Sequence, residues 1–128
     1  MNKTLQDFEN GRVNYLTKSD EISGLNWNPH ATMKGVFLKH LIKGAETDGL
    51  FSCHIVKIES GQSITDHIHE GKNELHEVIS GEGTAVFGNK EISYKSGVVT
   101  LIPENTHHSV TAGKESLYLF AKFFPALI

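Results

Sequence analysis

The chain has 128 residues, a formal net charge of -3 and 38% hydrophobic residues. This size and composition are typical of one globular domain that buries its own core, and they exclude disordered and fibrous proteins. The lysines are scattered and Arg12 is the only arginine, so no basic stripe is present to neutralise a nucleic-acid backbone. We therefore expect no nucleic-acid partner, and a guanidinium clamp for a carboxylate or phosphate would have to come from Arg12.

Cysteine content and hydropathy indicate the compartment. Cys53 is the only cysteine, so the chain cannot form an internal disulfide and suits a reducing environment. The first residues, MNKTLQDFENGR, lack the apolar segment of a secretory signal, and no later stretch has the roughly eighteen apolar residues of a membrane span. We expect a cytoplasmic protein with no membrane partner.

Two regions differ in patterning. Residues 1–35 are polar and mixed, with Asn, Asp, Gly and Pro between the apolar residues, and they predict an irregular N-terminal arm with at most one short strand. From about residue 36 to residue 128, β-branched and apolar clusters alternate with turn residues, as in an antiparallel sandwich or barrel. The predicted strands cover residues 35–42, 50–58, 63–69, 74–80, 83–88, 90–94, 98–102, 108–112 and 116–124.

The connections between these strands carry turn chemistry. Gly88 and Asn89 are a good two-residue hairpin signal. The strands 63–69 and 74–80 are expected to form a hairpin of their own, reversing at residues 70–73. No stretch of eleven or more residues has a helical period, so the sequence predicts an all-β protein.

Metal-competent side chains gather in the segment GQSITDHIHEGKNELHEVISGEG. In an extended strand, residues two apart point to the same face with Cα atoms roughly 6.5 to 7 Å apart. His67 and His69 can therefore aim ring nitrogens at one cation. A returning strand would bring Glu74 or a residue in phase with it beside the pair. Two histidines and one carboxylate suit a divalent metal ion with open coordination positions.

Two spaced motifs resemble those of the cupin superfamily. The first motif of that family is matched by Gly61, five residues, His67, one residue, His69, four residues, Glu74, six residues and Gly81. The second is matched by Gly97, five residues, Pro103, one residue, Asn105, two residues and His108. The resemblance implies an antiparallel double-stranded β-helix, a jelly-roll-like barrel, as one domain over residues 1–128. It also implies His67, His69, Glu74 and His108 as ligands of one divalent ion, which could be Fe, Mn, Ni, Zn, Co or Cu.

The match departs from the family pattern at two positions. Asn105 stands where the second motif usually has glycine, and Ala112 stands where it usually has asparagine. Asparagine is the residue most tolerant of left-handed dihedrals after glycine, so the turn at residues 103–105 is still expected to form. Neither change affects a proposed ligand.

Other histidines allow several interpretations. His76 shares strand parity with Glu74 and could be a fifth ligand, a group that supports a ligand, a catalytic acid or base, or a core histidine. If His76 replaced Glu74 at the ion, a site of four histidines would favour copper, nickel or zinc. His107 should face away from His108. We expect His40 and His54 in the core or at the surface, and His30 in solvent.

The sequence supports more than one function. A metal-dependent enzyme acting on a small organic molecule, such as a dioxygenase, isomerase or lyase, is the first. A module that binds or senses a small molecule without turnover is the second, and a barrel with a purely structural metal is the third. The apolar ending FFPALI predicts burial against a second subunit or the arm, and we expect a homodimer. Lys122, in phase with Tyr118 and Phe120 on the last strand, is a candidate charge facing the ligand.

Overall fold

The computed structural model describes residues 2–128. Within them, one helix and twelve strands are formed. The helix α1 covers Lys3–Glu9. The strands are β1 Arg12–Asn14, β2 Ser19–Glu21, β3 Asn28–Pro29, β4 Val36–Ile42, β5 Ser52–Ile58, β6 Ser63–His67, β7 Asn73–Ser80, β8 Glu82–Phe87, β9 Lys90–Lys95, β10 Val99–Ile102, β11 His108–Ala112 and β12 Leu117–Phe124. Single 3-10 turns occupy Ile22–Gly24 and Gly44–Glu46.

Two antiparallel sheets face one another and form the jelly-roll-like barrel that the sequence predicted. The larger sheet has the strand order β10-β7-β12-β5-β4-β3, and the smaller has the order β6-β11-β8-β9. The side chains between them form one apolar core, with Val78 and Leu119 contributed by the larger sheet and Ala85 and Val110 by the smaller. The fold is all-β apart from the short helix.

The expected hairpin of residues 63–69 and 74–80 is wrong. β6 pairs with β11 in the small sheet, whereas β7 pairs with β10 and β12 in the large sheet. The connection at residues 68–72 therefore crosses from one sheet to the other. Gly88 and Asn89, in contrast, form the predicted two-residue turn between β8 and β9, whose last paired residues are Phe87 and Lys90.

The arm is more regular than predicted. Asn2 caps α1 by accepting a hydrogen bond from the Leu5 N–H through its side chain, which satisfies one of the free donors of the helix N-terminus. Leu5 is fully buried in a second apolar cluster on the outer face of the large sheet. Seven residues are too few for a periodic signal, and a helix this short depends on such packing for its stability.

The last strand separates inner from outer side chains. Leu119 and Ala121 face the core between the sheets, and Tyr118 and Phe120 pack in the outer cluster with the arm. This confirms that the alternating sets of β12 lie on opposite sides of the sheet. Lys122 belongs to the outer set, where its ammonium contacts Glu77 and lies 4.5 Å above the Phe120 ring. The prediction that Lys122 faces the ligand is wrong.

The end of the chain folds back on its own subunit. The Ala126 N–H donates to the Gly49 carbonyl and the Leu127 N–H donates to Ser52 Oγ. Leu127 packs against the core between the sheets. The tail therefore covers part of one end of the barrel, while the predicted contact with a second subunit stays a prediction. None of the helices formed by residues 2–128 is long and apolar enough to span a bilayer.

Candidate metal centre

Four side chains converge between the two sheets at one end of the barrel. His67 ends β6, Glu74 lies on β7, His108 begins β11, and His69 follows β6 in the crossing segment. Each offers one ligand atom, and these atoms all lie within 4.8 Å of one another. The His67 and His69 Nε2 atoms are 3.1 Å apart, and His108 Nε2 is 3.2 Å from Glu74 Oε1. The structure thus brings together the four residues that were predicted from the sequence as ligands.

These separations fit a single cation. Two ligands at right angles, each about 2.1 Å from an ion, lie roughly 3 Å from one another. The neighbouring nitrogen and oxygen atoms of the centre have that spacing. The donor set of three imidazoles and one carboxylate suits a first-row divalent ion.

Backbone carbonyls fix the tautomers of two imidazoles. His67 Nδ1 lies 2.7 Å from the Thr65 carbonyl oxygen, and His108 Nδ1 lies 2.9 Å from that of Thr106. Because a carbonyl can only accept, the proton of each neutral ring is on Nδ1. The Nε2 lone pairs of His67 and His108 are therefore free to bind an ion, as is usual for histidine ligands held by a second hydrogen bond.

Two buried atoms of the centre lack hydrogen bonds. Glu74 Oε1 and His108 Nε2 are inaccessible to solvent, and neither has a hydrogen-bond partner within residues 2–128 despite their 3.2 Å separation. Buried polar atoms are rarely left without a partner because the desolvation cost is large. A cation between them would satisfy both atoms at once.

The protonation states also suit a cation. Burial raises the pKa of the Glu74 carboxyl, but the adjacent His76 and His108 imidazoles outweigh it and hold the pKa well below its usual value. Burial lowers the pKa of His67 and His69. Burial also lowers the pKa of His108, but the Glu74 carboxylate and the Thr106 carbonyl more than compensate and raise it above its ordinary value. The Glu74 carboxylate thus stabilises a proton on His108. A cation bound at the centre would take the place of that proton.

His76 supports Glu74 directly. Its Nε2 lies 2.7 Å from Glu74 Oε2, and since an ionised carboxylate only accepts, His76 donates this hydrogen bond. Its Nδ1 lies 2.9 Å from the Tyr94 hydroxyl. Burial raises the pKa of Tyr94 to about 12, so the hydroxyl keeps its proton and donates it to Nδ1. Both ring nitrogens are occupied, which favours the supporting role over a place at the ion.

A turn near the second motif holds the His69 backbone. Asn105 has φ of 61° and its N–H donates to the His69 carbonyl at 3.2 Å. This confirms that asparagine adopts the left-handed conformation expected there. Gly61, Gly81 and Gly97 also have positive φ, as their positions at strand edges predicted.

The remaining histidines lie outside the group of four. His107 is exposed and pairs with Asp66 at 3.0 Å, as its opposite parity predicted. His40 and His54 face each other through their Nδ1 atoms at 2.7 Å. The Phe123 ring lies between His54 and His69, with centroids 5.6 and 5.0 Å away, respectively.

A cavity of about 120 Å³ opens beside the four candidate ligands and touches all of them. Its other lining residues are His30, Val36, Leu38, Val56, Ile64, His76, Phe123 and Leu127. The prediction that His30 is merely solvated is therefore wrong. Sequence reasoning missed it because only the pairing of β3 with β4 brings the arm to the mouth of the barrel.

Comparison with known proteins places this fold and centre in a family. The family model described as "Cupin domain" matches residues 54–121, more than half of the chain. The chain belongs to the cupin family. The match spans β5 to β12 and includes all four candidate ligands of this cupin. No protein of curated function matches the sequence.

Solved structures share the cupin fold at low sequence identity. A predicted oxalate decarboxylase from Thermotoga maritima is 24% identical with a TM-score of 0.73, covering 81% of this chain and 96% of its own. KdgF from Halomonas sp. is 19% identical with a TM-score of 0.69, covering 78% and 87%. Ectoine synthase from P. lautus is 21% identical with a TM-score of 0.72, covering 90% and 78%. At these identities the likeness shows the fold alone.

Proposed function

We propose that this cupin is a metal-dependent enzyme that acts on a small organic molecule. The observation that carries the proposal is the pair of buried, unpartnered atoms, Glu74 Oε1 and His108 Nε2, in two side chains that line a cavity. His67, His69, Glu74 and His108 would hold the ion. The ion would supply Lewis-acid or redox chemistry to a molecule bound in its open positions.

The protein itself contributes orientation and exclusion of water. His76 and Tyr94 hold Glu74 so that Oε2 is occupied and Oε1 would be available to bind the ion. Phe123 packs edge-on against His69, with ring centroids 5.0 Å apart, and fixes the imidazole that lies outside the strand. Apolar side chains on the cavity wall keep bulk water from the reacting molecule, which strengthens electrostatic interactions there.

The cavity argues against a purely structural metal. A structural site is closed by its four protein ligands, whereas a catalytic site keeps open positions. Here the four ligand side chains all border free volume. Enzymes also occur among proteins of this fold, including the ectoine synthase from P. lautus, although that likeness does not transfer a reaction to this chain.

Metal analysis and turnover together test the proposal. Protein purified without chelator should contain close to one equivalent of a first-row divalent ion by mass spectrometry of the digested sample. Anaerobic reconstitution with Fe²⁺, followed by oxygen uptake and product analysis across small diols, thiols and 2-oxo acids, tests catalysis. Absence of metal after isolation and after reconstitution contradicts the proposal, and a bound molecule without turnover favours the binding module instead.

The cytoplasmic location and the homodimer are part of the same proposal. The free Cys53 is buried, which suits a reducing compartment. Val99 and Leu101 on the edge strand β10 are exposed by 62% and 67%, and exposed apolar residues of this kind favour contact with a second subunit. Sedimentation velocity would test the dimer.

A further inference from the structure

The position of His30 follows from the register of two strands. Asn28 lies opposite Leu38 and Pro29 opposite Phe37 in the β3–β4 pair. One residue further along, the His30 N–H continues this pairing by donating a hydrogen bond to the Val36 carbonyl at 2.8 Å. Residues directly opposite one another share a face of the sheet. His30 is therefore on the inner face with Val36 and Leu38, and all three line the cavity.

Backbone donors fix the tautomer of His30. The N–H groups of Thr32 and Met33 both lie 3.2 Å from His30 Nδ1. Because both are donors, Nδ1 accepts, and the neutral ring must carry its proton on Nε2. Within residues 2–128 this Nε2–H has no hydrogen-bond partner. The arm thus places a residue with one unpartnered N–H donor in the lining of the cavity that the candidate metal ligands border.

The rest of the cavity is apolar. Apart from the four candidate ligands, His30 and His76, its described lining is Val36, Leu38, Val56, Ile64, Phe123 and Leu127. The described lining contains no lysine or arginine, and Glu74 is its one carboxylate. Arg12 is occupied with Glu21 at 3.0 Å on the arm. A second charged group on a bound molecule would therefore lose its hydration without gaining a partner, which is costly.

The volume restricts the molecule further. About 120 Å³ is available, well below the roughly 300 to 1,000 Å³ of pockets that hold drug-sized ligands. The occupant must be a small molecule with a compact aliphatic body.

We infer that His30 is a recognition residue of the active site, and that it selects small, singly charged or neutral chelating molecules by donating its Nε2–H to one of their oxygens. The inference rests on the metal centre proposed above. Two oxygens of such a molecule bind the ion, its aliphatic part contacts the apolar wall, and a remaining oxygen or lone pair accepts from His30. A compact 2-oxo acid has these features.

The test uses the Co²⁺-loaded protein and two probes, 2-oxoisovalerate and 2-oxoglutarate. Both chelate through the same 2-oxo acid group, but the second carries an additional carboxylate. Binding is followed by the visible absorption of Co²⁺ and by calorimetry. The variants are His30→Ala and His30→Phe, with His30→Gln to restore an N–H donor and His107→Ala as the matched control for loss of an exposed histidine.

The wild-type protein should bind 2-oxoisovalerate at least about tenfold more tightly than 2-oxoglutarate. His30→Ala and His30→Phe should each weaken binding of 2-oxoisovalerate by about tenfold, the value of one lost hydrogen bond. His30→Gln should recover part of this loss, and His107→Ala should bind as wild type. Affinity for Co²⁺ itself should be equal in all four variants.

The outcomes separate the two proposals. Failure of the wild-type protein to bind Co²⁺ overturns the metal centre and the inference that depends on it. Co²⁺ binding with unchanged affinity for 2-oxoisovalerate in both His30→Ala and His30→Phe overturns the role of His30 alone. Preference for 2-oxoglutarate, or no binding of either probe to the Co²⁺ protein, overturns the substrate class while the metal centre stands.

Discussion

His76 donates its Nε2–H to Glu74 Oε2 at 2.7 Å, from the same strand and two residues away. The contact leaves Glu74 with one occupied oxygen and one free oxygen, and Tyr94 from the opposite sheet holds the His76 ring in place. The orientation of the carboxylate is therefore set by residues outside the group of four candidate ligands. Such supporting contacts commonly contribute tenfold to a hundredfold to metal affinity.

Replacing His76 should weaken metal binding without removing a ligand. In His76→Phe the Glu74 Oε2 atom loses its donor, so the carboxylate can rotate away from its present orientation. We expect Co²⁺ affinity to fall by about ten- to a hundredfold, measured by competition with a chromogenic chelator. Unchanged affinity in a folded His76→Phe protein would show that the His76 contact does not position Glu74.

Tyr94→Phe affects Glu74 less directly, because Tyr94 contacts Glu74 only through His76. It removes the hydroxyl that donates to His76 Nδ1 and leaves a buried acceptor without a partner. Urea unfolding should show a loss of about 1 to 3 kcal/mol in the free energy of unfolding. Metal affinity should fall less than in His76→Phe, because the His76 to Glu74 hydrogen bond remains. A larger loss of metal affinity in Tyr94→Phe would reverse this order of importance.

His54 should make the metal-free protein less stable in mild acid. Burial, reinforced by the neighbouring His40, lowers the pKa of His54 to about 4 from an ordinary value of 6.5. Between those values the unfolded chain binds more protons than the folded one, so the free energy of unfolding falls as the pH drops from 6.5 towards 4. The full effect is about 3 kcal/mol.

The variant His54→Gln isolates this contribution. Urea unfolding of the chelator-treated protein at pH 7.5, 6 and 5 should show a shallower pH dependence in His54→Gln than in wild type. His107→Ala, which removes an exposed imidazole, is the control and should retain the wild-type slope. Parallel slopes for wild type and His54→Gln would mean that His54 is not the group responsible.

Gly81 should tolerate no side chain, whereas Gly97 should tolerate one at moderate cost. Both have positive φ, at 86° and 95°, but a Cβ at Gly81 would collide with the Ser116 carbonyl and no atom lies within 4 Å of one at Gly97. Gly97→Ala should therefore cost about 1 to 2 kcal/mol from backbone strain alone. Gly81→Ala should cost clearly more, as measured by thermal or urea unfolding. Equal losses at the two positions would contradict the steric argument.

The barrel strands could be predicted because alternation and turn residues are local signals. The boundaries of β7 and β11 differ from the predicted ones by at most one residue. The pairing of β6 was not predictable in this way, since its partner β11 begins forty-one residues after His67. A local hairpin and a crossing between sheets both need turn-forming residues at 68–72. Which of the two forms is decided by the pairing of β6 and β7 with strands that are distant in sequence.

The candidate metal centre was accessible from sequence in part. His67, His69, Glu74 and His108 were found from spacing and the cupin resemblance, and the structure brings their ligand atoms together. The function of His76 was left open, because its position along the strand indicates which face of the sheet it lies on and does not indicate its hydrogen-bond partners. His30 was missed because its residue type and surroundings resemble a solvated arm, and its place at the cavity depends on the two-residue strand β3.

Anomalous diffraction from crystals of the Co²⁺-loaded protein would show whether His67, His69, Glu74 and His108 share one ion. The proposed metal centre predicts one strong peak between the two sheets, bonded to the Nε2 atoms of His67, His69 and His108 and to Glu74 Oε1, with at least one further position facing the cavity. A peak bonded to His76, a peak elsewhere, or no peak at these four atoms would contradict it.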